Sequence, residues 1–387
     1  MNLTEISYFI RKYGILIVLG GIFVILLIFT LNLLIRLSNQ TKQPTTTKNK
    51  LEINPVFGKI KLPKLETEQT ISPNIEFILD TIEGVPITAS NSAQVLKFEK
   101  TTPVLTYLER SYLMAKTLGF DTEKLQPTRQ DTLINFETTE KQLEIQITDF
   151  SFKYQLKNSY LTQIAQNLSI ANLTENDLVT IAKEKLNEVN KYTDNLINGK
   201  MNLTYLKIDE TGKFKVTETK QSANSLRIDL YPNDINGIPI ITEDYDKSPN
   251  YIIVALETKQ IPATEPTNQT DNQNQDPEQT PTPTPTPIIE SRPIIISASI
   301  QDKDFSNEIG VYPLITGDQA WQNLKEKKAI ITLKPGEDTT KIEISKMFLG
   351  YLYAPDKSEY LLPYYVFLGK DFIAYVPAIT PEYIESN

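Results

Sequence analysis

Along this chain, a run that is apolar all round gives way to runs with apolar side chains at every second or every third to fourth position, separated by runs with almost none. From Gly14 to Ile35, GILIVLGGIFVILLIFTLNLLI, 22 residues pass without a charge. As a helix they would reach roughly 33 Å at about 1.5 Å per residue, enough to cross a hydrocarbon core of about 30 Å. The run is longer than the apolar part of a cleaved signal peptide and has no small-residue cleavage site, so it predicts a retained signal anchor over residues 14–36, with the lipid bilayer as its partner. Basic residues flank both ends, Arg11 and Lys12 before and Arg36, Lys42, Lys48 and Lys50 after, and do not orient it. A short tail, 1–13, with all folded sequence behind the span is the usual form of a single-pass anchor in the cell membrane, N-terminus cytoplasmic and C-terminal domains extracytoplasmic.

Two polar stretches divide the rest. Residues 37–70 begin with SNQTKQPTTTKNK, which has nothing to bury and predicts a stalk. Residues 261–292 contain NQTDNQNQDPEQTPTPTPTP, whose Thr-Pro repeats favour polyproline II, so the segment predicts a semi-rigid spacer between two folded parts. A PxxP-type ligand lacks the basic flanks it would need.

Between them, 71–260 predicts two helix-then-sheet units, about 71–160 and 161–260. The first opens with TPVLTYLERSYLMAKTLGF: Thr102 as cap, Pro103 in the first turn, Gly119 as the stop, and Leu105, Leu108, Tyr112, Ala115 and Leu118 as the apolar face. DTLINFET and LEIQITDFSFKYQ then alternate as strands. The second helix, TENDLVTIAKEKLNEV, has Thr174 and Asp177 as a variant capping box and Leu178, Ile181, Ala182, Leu186 and Val189 on one face. MNLTYLKI, FKVTE, SLRIDLY and YIIVALE follow as a meander. A third unit, 293–380, places Thr316 and Gln319 as a capping box before AWQNLKEKK, then AIITL, KIEISKMFLGYLY and YLLPYYVFLGKDFIAYVPAI. Helices laid on antiparallel sheets give an α+β class.

That last stretch is the most aromatic in the chain. Tyr351 and Tyr353 alternate on one predicted strand, Pro363 is confined to a strand start or an edge, and Gly369-Lys370-Asp371 makes a short loop before FIAYVPA. Two readings stand. The meander buries these side chains against the helix carrying Ala320, Trp321 and Leu324, or Tyr351, Tyr353, Tyr364, Tyr365, Phe367 and Tyr375 form a groove or edge that takes an extended segment of another protein.

Composition removes much chemistry. The chain has no His and no Cys, which excludes imidazole and thiolate metal sites, thiol nucleophiles, the Ser-His-Asp triad and disulfides. It has no SxxK, P-loop or GxGxxG pattern. The net charge is -9, and the first 36 residues carry three basic side chains against one acidic, so the remainder is more acidic still and would repel a phosphate backbone. Nucleic acid is not an expected partner, and no cofactor is expected. Asp302, Asp304, Asn307 and Glu308 in DKDFSNE put oxygen ligands close together but lack the glycine and spacing of an EF-hand, and read as a solvated loop. The sequons at Asn167, Asn172, Asn202 and Asn268 would matter only in a glycosylating secretory pathway.

The run LLPYYVFLGKDFIAYVPAI, preceded by AWQNLKEKKAI and FLGYLY, resembles the C-terminal part of YycI-like and YycH-like extracytoplasmic regulators, whose modules are similar to PepSY domains. Trp321, Leu349, Tyr351, Pro363, Tyr365, Phe367, Tyr375 and Pro377 carry the likeness. It implies a non-catalytic protein that modulates a membrane sensor kinase or another envelope protein by contact, and it supplies no catalytic residues. The Thr-Pro insertion departs from the pattern. A structural or surface-display role in the envelope is the alternative, and an envelope hydrolase using paired carboxylates is a third.

Overall fold

The computed structural model describes residues 52–65, 69–72, 74–261, 288–336 and 338–385, together with Leu26 and Thr30. Met1–Glu52 and Ile53–Asn387 are two units. In the first, Leu26 and Thr30 are helical and exposed; the rest of the expected anchor lies outside the described residues. Among the described residues no helix is long and apolar enough to cross a membrane.

The second unit is mixed α+β, rich in sheet and poor in helix. Its elements are β1 (Glu76–Leu79), β2 (Ser92–Phe98), α1 (Tyr107–Thr117), β3 (Thr128–Gln130), β4 (Leu133–Glu137), β5 (Lys141–Gln146), β6 (Phe152–Leu156), α2 (Asn158–Ile164), β7 (Leu168–Ser169) and α3 (Glu175–Glu188). There follow α4 (Asp194–Ile197), β8 (Met201–Ile208), β9 (Phe214–Val216), β10 (Ser225–Leu230), β11 (Ile240–Ile241), β12 (Tyr251–Ile261), β13 (Ile288–Ile300), β14 (Phe305–Pro313), α5 (Gly317–Lys325), β15 (Ile330–Leu333), β16 (Lys341–Leu352), β17 (Tyr360–Gly369) and β18 (Phe372–Pro377).

Two sheets hold them. One runs β3-β4-β5-β6-β13-β12-β10-β8-β9, with β7 on β12. The other runs β1-β16-β17-β18-β15, with β11 also on β16 and β2 bridging β17 and β14. A core of Phe136, Leu143, Ile145, Leu178, Ala182, Leu186, Ile228 and Val254 joins the first sheet to its helices. A second core, around Ile344, Leu349, Tyr364, Phe367, Phe372 and Leu324, fills the other, and a small cluster of Leu96, Phe98, Ile240, Tyr351, Tyr353 and Leu361 lies beside it.

Local signals set the helix ends. In α3 the Thr174 hydroxyl accepts from the Asp177 backbone N–H while the Asp177 carboxylate accepts from the Thr174 N–H; Thr316 and Gln319 do the same for α5. Gly119 ends α1 at φ 80°, with the Phe120 N–H on the Ala115 carbonyl and its own N–H on that of Lys116. The start and the face of α1 differ from the pattern reading. The helix begins at Tyr107, after a turn with no side-chain cap at Thr106, and buries Ser111, Met114 and Ala115, while Leu105 and Leu108 are exposed. Ser111 is tolerated inside because its hydroxyl donates to the Tyr107 carbonyl at 2.8 Å.

The strands do not sort by the three expected helix-first units: β1, β2 and β11 lie in the second sheet with β14–β18, and β13 lies in the first. The Thr-Pro stretch does not part folded units as expected. Residues 262–287 lie outside the described residues, yet β12 and β13 on either side pair with each other up to Ile261 and Ile288. Beyond them β13 also pairs with β6, and β14 with β2, so strands from both sides of the stretch are interleaved. Pro363 likewise sits inside β17 rather than at a start or edge. Its neighbour Ala378 gives its N–H to the Pro363 carbonyl and takes the Ile315 N–H on its own carbonyl, so the donor proline lacks is never called for. Cleavage at a protease site engineered into 262–287 therefore leaves the two fragments associated: they co-elute on size exclusion in native buffer and separate in denaturant, whereas a free C-terminal fragment without denaturant would contradict the interleaving.

Candidate functional site

The six aromatic residues singled out in the sequence are all buried. Tyr351, Tyr364, Tyr365, Phe367 and Tyr375 have no exposed surface and Tyr353 has 1%. None is presented as a docking face. Their hydroxyls instead tie the C-terminal strands to distant segments: Tyr351 donates to the Gln94 carbonyl at 2.8 Å, Tyr365 to Ile315 at 3.1 Å, Tyr375 to Thr242 at 2.9 Å, and Tyr353 to Gln301 at 2.8 Å while accepting the Lys303 N–H. Tyr364 alone of these tyrosines has a buried hydroxyl with no partner. Burial pushes the ionisation of all five phenols upward, so they stay neutral.

The Tyr375 bond matters for the surface next to it. Thr242 begins a loop, 242–250, that is also held from inside: its hydroxyl donates to the carbonyls of Asp244 and Lys247, and the fully buried Asp229 accepts the Ser248 N–H at 2.8 Å while pairing with Arg227. That loop carries Tyr245 to the wall of a cleft of about 770 Å³. The cleft lies where the two sheets approach. Lys200–Asn202 at the start of β8 and Tyr231 after β10 come from one sheet; Gly237–Ile241 and Lys346–Leu349 of β16 come from the other, and Ile87 and Ala89 complete it. Tyr245 and Phe348 meet edge-on at 6.3 Å, with the Lys346 ammonium 5.0 Å over the Phe348 ring. Lys200 is paired with Asp234 at 2.9 Å, and Asn202 donates to the Asp246 carbonyl, so the polar rim is already braced. Size and apolar lining suit a bound side chain or chain segment.

Sequence reasoning missed this cleft, because it is assembled from six segments. One signal was present. In KIEISKMFLGYLY the buried positions run Ile342, Ile344, then Met347, Leu349, Tyr351: the alternation slips by one at Ser345, the mark of a β-bulge. The slip puts Lys346 and Phe348 on the open side.

The acids of DKDFSNE do not converge. Asp302 turns inward, accepts hydrogen bonds from the Thr193 hydroxyl and, at 3.0 Å, from Asn195, whereas Asn307 and Glu308 are exposed on β14. Among the described residues no three metal-ligating side chains gather. Burial outweighs those hydrogen bonds and holds the Asp302 carboxyl above its ordinary range.

No family model and no curated protein matches the chain. Among solved structures, that of an uncharacterized protein from Eubacterium rectale ATCC 33656 is similar at a TM-score of 0.36 with 12% identity, over 81% of this chain and 91% of that one.

Two expectations follow from these contacts. Tyr375→Phe leaves the Thr242 carbonyl without its donor and lowers unfolding free energy by about 1–2 kcal/mol, while Tyr364→Phe removes an unpaired hydroxyl and is neutral or stabilising by up to about 1 kcal/mol; equal losses in denaturant titrations would refute the assignment. For Asp302 the sign runs as for any acid whose folded pKa is raised: the native state holds the proton at a pH where the unfolded chain has lost it. Stability therefore rises, relative to Asp302→Asn, as pH falls through the raised value, and a difference that stays flat or shrinks on acidification would contradict it.

Proposed function

We propose that this chain is a membrane-tethered extracytoplasmic protein-binding module of PepSY-like helix-and-sheet units, acting on a membrane sensor kinase or another envelope protein by contact rather than by catalysis. The observation that carries this reading is the cleft beside β16: an apolar, aromatic-walled groove of about 770 Å³ at which Lys200 is paired with Asp234 and Asn202 donates to the Asp246 carbonyl. Such a lining favours a side-chain or main-chain guest over a charged small molecule. The uncharged run from Gly14 to Ile35 supports the tether, and the resemblance of the C-terminal stretch to YycI-like and YycH-like regulators supports the regulatory role. The buried aromatic residues shift the contact surface from the hairpin itself to the groove that the hairpin props up.

Site-specific photo-crosslinking in the intact anchored chain tests this. A crosslinker in place of Phe348 captures one stoichiometric membrane or envelope protein, whereas one in place of the exposed Val216 on β9 does not. Protease added outside intact cells digests the second unit. Self-crosslinks alone, equal capture at both positions, or protection from the protease would each count against the reading.

A further inference from the structure

Inside the cleft the edge of β16 is incompletely covered. On its other side β16 is paired with β17 from Ile344 to Leu352. On the cleft side two short strands of the same chain lie parallel to it, β1 along Lys341–Ile344 and β11 along Tyr351–Leu352. The Asp80 N–H still reaches the Ile344 carbonyl, and the Tyr351 N–H already reaches that of Pro239. Between those two bonds no described residue pairs with β16 on this side. Because Tyr351 points its backbone groups toward β11, its neighbours Phe348 and Gly350 point theirs toward β17, and Met347 and Leu349 point theirs into the gap. Neither has a backbone partner on that side among the described residues.

We propose that this gap receives one extended segment of a partner polypeptide, inserted between β1 and β11 as a strand on β16. The proposal rests on the protein-binding reading above and names how the partner is held. Two N–H and two C=O groups in a row, repeating every second residue, are matched together by the backbone of another strand and by little else. The edge is competent for this, since two pieces of the chain itself already occupy it on either flank. The run from Ile344 to Tyr351 spans roughly 20 Å at about 3.3 Å per residue, which leaves room for about five residues. Its bounded length and its recess beside the second sheet keep out the full-length edge of a second copy, the usual hazard of an open strand. One side of the gap faces Tyr245 and Phe348, the other Ile87 and Ala89, so the guest carries apolar side chains at alternate positions and no proline where its N–H must donate.

The probe is acetyl-Val-Thr-Val-Thr-Val-amide, titrated to millimolar concentration into the full-length protein in detergent, with backbone amides followed by NMR. Hydrogen exchange at Met347 and Leu349 slows at least fivefold, and no such change occurs at Phe348 or Gly350. Two N-methylated forms, one blocked at residues 1, 3 and 5 and one at 2 and 4, give opposite results: one keeps the protection and the other loses it, because a strand offers alternate N–H groups to its neighbour. Equal binding by both forms would show a merely greasy groove and overturn the proposal. So would a peptide that leaves Met347 and Leu349 unchanged; if Phe348 nonetheless captures its partner in cells, strand insertion fails while the protein-binding reading stands.

Discussion

The structure depends on how the backbone groups of β16 are satisfied. A strand buried between neighbours must pair its N–H and C=O groups on both sides, and each orphaned group costs as much as a lost hydrogen bond. β16 meets this demand on one side with a single long partner, β17, and in part on the other with two short pieces far apart in sequence, β1 and β11. Bringing Glu76–Leu79 and Ile240–Ile241 to the same edge forces the chain to cross between sheets repeatedly. The interleaving of the two sheets is the topological consequence, and the cleft is the space left between the two short strands.

The aromatic residues of the C-terminal strands stabilise that arrangement. A buried tyrosine brings a large apolar ring and a hydroxyl that must find an acceptor, so it packs well only where a carbonyl waits at the right distance. Tyr351, Tyr353, Tyr365 and Tyr375 each find one on a segment remote in sequence, at Gln94, Gln301, Ile315 and Thr242. These bonds specify which loops sit over the core. The loop that carries Tyr245 into the cleft is one of them, which connects core packing to the shape of the proposed binding surface.

What could be read from the sequence was local. The capping pairs Thr174/Asp177 and Thr316/Gln319 and the stop at Gly119 depend on residues within a few positions of one another, and the structure has all of them. Where an outcome turned on long-range pairing, composition misled. The Thr-Pro stretch rightly reads as unable to build a core, but nothing in it says that its two flanks are neighbouring strands. A Tyr-rich hairpin looks the same whether its rings face a partner or another sheet, because the hydroxyl acceptors lie up to 257 residues away. The α1 face was misjudged because a serine with a local carbonyl acceptor packed inside while two leucines stayed out. The slip at Ser345 was visible in the pattern, yet its meaning needed the knowledge that β1 stops at Leu79 and β11 starts at Ile240.

Amide hydrogen exchange of the free full-length protein, read residue by residue along β16, tests the central claim most directly. With the edge open between its two short neighbours, Met347 and Leu349 exchange about a hundredfold faster than Phe348 and Gly350, whose amides face β17. Equal protection at all four positions would mean that another part of the chain already covers the gap, and the account would fail.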